Sequence, residues 1–287
     1  MSSNPKQKTK YVLVKTIYTK LPGDKEEPCT IDMTVLCQGD MEVIVVVDFN
    51  NKALKAYWTC PGQTRDLSSC CLEFEHHPRR VTNVTENQVV VTFWDEPEVA
   101  VVNVLPELRL KTLVSTQNRQ CGVAVIPGTV EMDDHKFVFA SENRIAIHDS
   151  DGYILKRICS PNDKHRQRFP VPWYLSMAAN NDILVSDFEK GGVTCVTQTG
   201  NDKWFYQTEG TPRGVTCDSD GYVYVVEGVT NRVTLLTPSG DFISSVLRED
   251  TKLPCIYGLA FGNSGKLYLS EYHGQIGIFN LIKNTDA

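Results

Sequence analysis

The feature that most constrains this chain is a repeated unit of four short strand-forming segments. Its clearest copy is GVTCDSDGYVYVVEGVTNRVTLLTPSGDFI at residues 214–243. There, runs of β-branched and aromatic residues alternate with turns that contain Gly, Asp, Asn or Pro. This alternation predicts an antiparallel meander. A single meander of this size cannot bury its own hydrophobic face, so such units must stack on one another.

The same pattern recurs along the whole chain. Further copies occupy residues 30–58, 81–104, 122–158, 174–206 and 258–280. The third strand of the six units is expected to begin at Ala53, Val99, Ile145, Val193, Val233 and Ile276, which gives spacings of 46, 46, 48, 40 and 43 residues. A four-stranded unit with a period of about 45 residues is typical of β-propeller blades. A sandwich or barrel of many short strands is the alternative, but neither requires a fixed four-strand period.

The two ends of the sequence predict how the ring closes. The third strand of the sixth unit ends near Phe279, and the few residues after it leave that unit without a fourth strand. Residues 11–20, YVLVKTIYTK, form a strand without a unit of their own. We therefore expect an all-β, six-bladed propeller over residues 11–282, in which residues 11–18 supply the outer strand of the last blade and cover its edge. Residues 1–10 and 283–287 are expected to be tails, the first of them disordered.

Two of the units carry a family resemblance. Residues 213–242, RGVTCDSDGYVYVVEGVTNRVTLLTPSGDF, and residues 258–279, GLAFGNSGKLYLSEYHGQIGIF, resemble NHL repeats. Propellers of this family form the C-terminal domain of tripartite-motif (TRIM) ubiquitin ligases, where they bind substrates, partners or RNA. The resemblance implies a non-catalytic recognition module that binds a protein or peptide through one face and recruits substrates for such a ligase. It implies no ligase activity for this chain, in which no RING is present.

Acidic residues end the second strand of most units. Because turns between second and third strands share one face of a propeller with the links between blades, a ring of carboxylates there would attract a basic partner or a cation. The alternative is that these residues form tight turns through local hydrogen bonds. Five of them are candidate partner-binding residues: Asp48, Asp95, Asp187, Glu227 and Glu271. Glu142 lies one residue out of this register.

The link between the third and fourth units, residues 155–174, combines basic and aromatic residues. Its candidate partner-binding residues are Lys164, His165, Arg166, Arg168, Phe169, Trp173 and Tyr174. Interleaved cations and aromatics suit single-stranded RNA, whose bases stack on aromatic rings, and they suit an acidic peptide equally well. The alternative is a solvated loop whose aromatic residues pack on the blade below.

Composition narrows the class of partner. The net charge of −6 argues against nucleic acid as the default partner, which leaves a protein as the first expectation and RNA as the second. Ten cysteines occur without a C-x-x-C pair, so zinc-ribbon and RING patterns are absent from the sequence. No apolar run approaches the length of a membrane span. We expect a cytoplasmic protein with reduced thiols that has no membrane partner and needs no cofactor.

Two alternatives would place a metal ion in the protein, either calcium in the channel or zinc at a Cys/His cluster. A lactonase-like hydrolase of six blades would hold calcium through oxygen ligands on its inner strands, where only Asp32 and Asn83 stand out. Zinc would need converging ligands from the one Cys/His cluster, which comprises Cys60, Cys70, Cys71, His76 and His77. The alternative for that cluster is an outer strand with alternating burial.

Overall fold

A computed structural model describes residues 9–59, 67–128, 135–158, 168–247, 253–262 and 265–283. Within these ranges the chain is all β, and its strands form six antiparallel four-stranded sheets arranged as a β-propeller. No helix able to span a membrane occurs in the described ranges. The predicted tails lie largely outside these ranges and stay predictions.

The strands follow one another blade by blade. Blade one contains β2 (Thr30–Gln38), β3 (Met41–Asp48), β4 (Ala53–Thr59) and β5 (Leu67–Glu73), and blade two contains β6 (Pro78–Thr85), β7 (Gln88–Phe93), β8 (Glu98–Asn103) and β9 (Arg109–Ser115). Blade three contains β10 (Gly122–Ile126), β11 (Lys136–Ser141), β12 (Arg144–His148) and β13 (Ile154–Arg157), and blade four contains β14 (Pro172–Met177), β15 (Ile183–Asp187), β16 (Gly192–Val196) and β17 (Asp202–Gln207). Blade five contains β18 (Pro212–Cys217), β19 (Val223–Glu227), β20 (Arg232–Leu236) and β21 (Phe242–Leu247).

Blade six is completed by the start of the chain. It contains β22 (Ile256–Phe261), β23 (Leu267–Glu271), β24 (Gln275–Lys283) and, as its outer strand, β1 (Thr9–Tyr18). β1 pairs antiparallel with β24 along its whole length. The predicted closure is therefore confirmed, and so is the predicted period, because each third strand begins within one residue of its expected position.

The core lies between neighbouring blades. Along β3, Val45 and Val47 pack against Val89 of blade two, while the alternate residues Ile44 and Val46 pack against blade six. Both faces of the strand are thus buried, which explains why its sequence is a continuous apolar run rather than an alternating one. Each middle strand needs apolar neighbours on both sides, so the blades stabilise one another.

A buried polar network reinforces the closure. The side chain of Lys55 is fully buried, and its Nζ donates to Asp24 Oδ2 at 2.6 Å, to Asp48 Oδ2 at 2.7 Å and to the carbonyl of Thr19 at 3.0 Å. The Tyr57 hydroxyl donates to the same Thr19 carbonyl at 2.7 Å. These contacts tie the segment that follows β1 to blade one, so they join the last blade to the first.

Candidate partner-binding face

One face of the propeller carries the turns between second and third strands together with the links between blades. We call it the mouth face, because the inner strands β2, β6, β10, β14, β18 and β22 begin there and surround the central channel. Main-chain hydrogen bonds hold each turn to its link: Phe49 N donates to Cys29 O at 2.9 Å and Phe188 N donates to Val171 O at 2.9 Å. Turns and links therefore form one continuous surface.

The predicted acidic residues lie on this face, but most of them point into it. Asp48, Asp187, Glu227 and Glu271 are each 0% exposed. Asp48 accepts from Cys29 N at 3.0 Å, Asp187 accepts from Val171 N at 3.1 Å, and Glu227 accepts from Gly210 N at 3.1 Å. These three carboxylates thus satisfy main-chain donors of the link that enters their own blade, which corresponds to the turn-forming alternative.

Asp95 and Glu271 each pair with a histidine. Asp95 accepts from His77 N at 3.1 Å and lies 3.2 Å from His77 Nδ1. Burial acts to raise the pKa of Asp95, but the hydrogen bonds from His77 outweigh it and hold the pKa below its ordinary value. Glu271 accepts from His273 N at 3.0 Å and lies 2.6 Å from His273 Nδ1. Glu142 in blade three is exposed. Partner binding by the five predicted acids stays a prediction.

The inner strands carry an irregularity where they enter the channel. Their register against the second strand shifts between Thr30 and Asp32, Pro78 and Arg80, Pro172 and Tyr174, Pro212 and Val215, and Ile256 and Gly258. β-Bulges of this kind re-aim a side chain at the rim of a barrel or channel. In each of these five strands the shift begins at the second residue, and these second residues are Ile31, Arg79, Trp173, Arg213 and Tyr257. In blade three, Cys121 precedes a strand without such a shift.

These re-aimed residues meet aromatic residues of the neighbouring turns. The Arg79 guanidinium lies 4.3 Å from the centre of the Trp94 ring, and the Arg213 guanidinium lies 3.4 Å from that of Tyr257. Trp173 stacks on Phe188 with ring centres 4.3 Å apart, and Tyr257 lies 5.1 Å from Tyr272. We call this set the mouth belt: Arg79, Trp94, Trp173, Phe188, Arg213, Tyr257 and Tyr272. Three of its turn residues are substantially exposed, with Trp94 at 49%, Phe188 at 43% and Tyr272 at 38%.

Glycines bring the inner strands close together below the belt. A Cβ on Gly214 would lie 2.8 Å from the carbonyl oxygen of Tyr257, and a Cβ on Gly258 would lie 2.8 Å from Ser270 Oγ. Either approach is too short for a larger residue, so these glycines allow adjacent strands to pack tightly. The cavity that remains in the channel measures about 230 Å³.

Arg80, Tyr174 and Asp32 form a cluster of polar side chains that line the channel. The Arg80 guanidinium lies 3.7 Å from the centre of the Tyr174 ring, and its Nε donates to the Trp173 carbonyl at 3.0 Å. The Tyr174 hydroxyl donates to the Ile31 carbonyl at 2.9 Å. Burial raises the pKa of Asp32 to about 6, even though the Arg80 charge and a hydrogen bond from Val81 N act to lower it.

The structure separates the residues predicted in the link between blades three and four. Lys164, His165 and Arg166 lie outside the described residues. Arg168 pairs with Asp202 of blade four, and Phe169 is buried, which corresponds to the packing alternative. Trp173 joins the mouth belt, whereas Tyr174 is buried in the channel.

Sequence reasoning missed Arg79, Arg213 and Tyr257. A signal for the two arginines exists in the repeat, because Pro78-Arg79, Pro172-Trp173 and Pro212-Arg213 occupy equivalent positions at the start of an inner strand. Aligning the repeats on these prolines would have placed a large side chain at the channel mouth in three blades.

The described residues hold no group of three or more His, Cys, Asp or Glu side chains arranged to bind a metal ion. Asp32 Oδ2 accepts from Val81 N at 3.0 Å, and Asn83 Oδ1 accepts from the Thr34 hydroxyl, so both of the side-chain oxygens that could bind calcium are engaged within the chain. In β5, Cys70 is more buried than its neighbour Cys71 in an alternating pattern, and Cys60 lies outside the described residues.

Comparison with known proteins supports the fold. No protein-family model matches the sequence, and no curated protein matches it, so the NHL resemblance stays a prediction. A streptogramin B lyase structure superposes with a TM-score of 0.65 at 14% identity, covering 95% of this chain and 98% of that chain. The WD40 β-propeller domain of Doa1 gives 0.62 at 12% identity over 94% and 97%. BBS1N in complex with ARL6DN gives 0.61 at 13% identity over 96% and 98%. At such identities the likeness concerns the propeller fold alone.

Proposed function

We propose that this chain is a recognition module that binds a protein partner through the mouth belt. The observation that carries this proposal is the composition of the belt, in which Trp, Tyr, Phe and Arg side chains form three contact groups around the channel mouth: Arg79 with Trp94, Trp173 with Phe188, and Arg213 with Tyr257 and Tyr272. Aromatic residues and arginine are the types that contribute most to the energy of protein interfaces. Arg213, whose guanidinium carbon lies 3.4 Å from the centre of the Tyr257 ring, and Trp173, stacked on Phe188, also offer these contacts with side chains that are already held in place.

In this proposal the module is non-catalytic. Cys29 and Cys217 are poorly suited to act as nucleophiles, because burial raises the pKa of each thiol and so disfavours its thiolate. A lyase among the similar structures shares the fold at 14% identity, which does not transfer its chemistry. The resemblance of residues 213–242 to NHL repeats extends the proposal to the recruitment of substrates for a TRIM-type ubiquitin ligase.

The test is affinity capture with variants on opposite faces. Trp94→Ala with Tyr272→Ala removes two exposed belt side chains, and Tyr153→Ala removes an exposed tyrosine that precedes β13 on the opposite face. We expect the proteins captured by the unmodified chain to be retained by Tyr153→Ala and lost from the double variant. Equal capture by all three would contradict the proposed use of the mouth face.

A further inference from the structure

A groove opens on the mouth face between blades two and three. Its volume is about 710 Å³, and it is lined by Arg79, Trp94, Pro97, Arg119, Cys121 and Glu142 among others. The groove lies beside blade three, the blade whose inner strand lacks the register shift found in the other five. Cys121 stands where the other blades place Ile31, Arg79, Trp173, Arg213 or Tyr257 at the start of their inner strand, and β10 enters without a register shift. The small side chain at this entry leaves room beside Trp94.

Arg79 lies at the edge of this groove in an unusual state. Arg79 is only 6% exposed. Its Nη1 donates to Cys121 Sγ at 3.1 Å, and its Nε has no hydrogen-bond partner among the described residues. None of the ion pairs formed by the described residues includes Arg79 or its neighbour Arg80. A buried charge without a carboxylate partner is costly.

The charge on Arg79 persists at neutral pH. Burial and the nearby Arg80 charge lower the pKa of Arg79 to about 10, which still leaves the guanidinium protonated at pH 7. Contact with the Trp94 ring, whose centre lies 4.3 Å from the guanidinium carbon, and the hydrogen bond to Cys121 Sγ hold the guanidinium in place. A fixed planar fork of N–H donors matches an oxyanion in bidentate geometry better than a flexible ammonium group does.

We infer that the groove between blades two and three receives an oxyanion presented by the partner protein, with Arg79 as its receptor and Trp94 as the aromatic wall beside it. This inference rests on the proposed function and specifies the chemistry of the partner. The oxyanion is the carboxylate of an aspartate or glutamate, or the phosphate of a phosphorylated residue.

The surroundings of Arg79 favour a peptide over nucleic acid. Asp95, Glu96 and Glu142 also line the groove and would repel a backbone that carries one negative charge per nucleotide. A peptide can present a single oxyanion to Arg79, and Arg119 in the same lining adds a second positive charge that favours it. Gln117 and Asn118 line the same groove and supply amide donors and acceptors suited to a peptide main chain.

The experiment selects peptides and then removes the receptor. A phage-displayed library of random dodecapeptides is panned on the purified chain, and the binders are synthesised. We expect a recurring Asp or Glu in the selected peptides and at least tenfold weaker binding to Arg79→Gln. Arg79→Lys, which keeps the charge and loses the fork, should lie between the two. Arg109→Gln, an exposed arginine on β9, is the matched control and should bind normally.

Two further arms identify the source of the oxyanion. Peptides in which the recurring acid is replaced by its amide should bind the unmodified chain as weakly as the acidic peptide binds Arg79→Gln. Replacement by phosphoserine should strengthen binding if the natural group is a phosphate and weaken it if the groove is shaped for a carboxylate. Loss of poly(U) binding in Arg79→Gln without loss of peptide binding would assign the groove to nucleic acid and overturn the inference.

The outcomes separate this inference from the function on which it rests. The double variant Trp94→Ala with Tyr272→Ala could lose peptides that Arg79→Gln still binds. That result would contradict the oxyanion site and leave the belt as the binding surface. Peptides retained by every variant, or a library that selects none, would count against both. A melting temperature for each variant shows that binding is compared between folded proteins.

Discussion

The mouth face carries two sets of side chains that the fold uses in opposite ways. Asp187 and Glu227 lie beneath the surface, 0% exposed, and accept main-chain hydrogen bonds from the links, whereas Asp95 is partly exposed. In the mouth belt, Trp94 and Phe188 remain more than two-fifths exposed. Most of the turn carboxylates are therefore internal while aromatic rings of the belt are external, which reverses the usual expectation for polarity. The direction in which the backbone points each side chain, rather than its polarity, decides which side chains are exposed on this face.

The largest effect on stability is expected from removing Lys55, the cation that pairs with the buried carboxylates. Lys55→Met leaves the carboxylates of Asp24 and Asp48 buried without their shared partner. We expect a loss of about 3–5 kcal/mol in the free energy of unfolding, the usual cost of breaking a buried ion pair on one side. Urea denaturation measures it. Lys25→Met, which removes an exposed lysine, is the control and should change stability by less than about 0.5 kcal/mol.

Ionisation of Asp32 in the channel should destabilise the folded protein. Its pKa rises from the ordinary 3.8 to about 6 in the folded protein, so its ionisation opposes folding by about 3 kcal/mol at pH 7. The amide of Asp32→Asn can still accept from Val81 N. We expect the variant to be more stable than the unmodified chain at pH 7.

The pH dependence gives the sign of this effect. Because the folded pKa lies above the unfolded one, the contribution of Asp32 is most favourable below pH 4 and is lost as pH rises through about 6. The stability gain of Asp32→Asn should therefore grow between pH 4 and pH 6 in thermal melts. A gain that does not change with pH would contradict the assignment to ionisation.

Removing one turn carboxylate should have an intermediate effect on stability and little effect on binding. Glu227→Ala deprives the main-chain donors of Glu209 and Gly210 and the hydroxyl of Thr234 of their acceptor. A buried group left unpaired costs about 1–3 kcal/mol, so urea denaturation should show a loss of at least this size. Glu189→Ala, at an exposed position of the neighbouring blade, serves as control. Loss of partner binding by folded Glu227→Ala would contradict the view that the turn carboxylates are structural and that only the mouth belt binds.

Trimming the mouth belt should change stability least. Trp94→Ala removes a half-exposed ring and its contact with Arg79, which corresponds to about 1–2 kcal/mol because the ring is half-exposed but the guanidinium is buried. We expect its urea midpoint to lie close to that of the unmodified chain, while capture of partners falls. A Trp94→Ala protein that unfolds as readily as Lys55→Met would show that the belt is structural.

Calcium should have no effect at all on a recognition module of this kind. A hydrolase with a calcium ion in its channel would gain stability from the bound ion, because a ligand that binds only the folded state raises the melting temperature. Thermal melts with calcium and with EDTA should coincide. A difference of several degrees would favour the hydrolase alternative and would direct attention to Asp32 and Asn83.

Part of the candidate site could be predicted from sequence. Strand order correctly predicted that the turns between second and third strands share one face with the links, and Trp173 lies on that face because it belongs to a link between blades. Arg168 and Phe169 in the same link pack on blade four instead, since a long link must also cover the blade beneath it. Arg79 and Arg213 were missed because a bulge at the first strand position redirects their side chains, and a bulge leaves no clear trace in a single repeat.

The sequence by itself determined the number of blades, their period and the closure of the ring, because strand patterning and turn chemistry are local and repeat at a regular interval. Only the tertiary structure decided which side chains are exposed on the mouth face and which are buried beneath it. The acceptor for Gly210 N is a carboxylate of Glu227, and the acceptor for Arg80 Nε is the carbonyl of Trp173, two blades further along the chain. Such contacts depend on how neighbouring blades pack around the channel, and no local pattern encodes that packing.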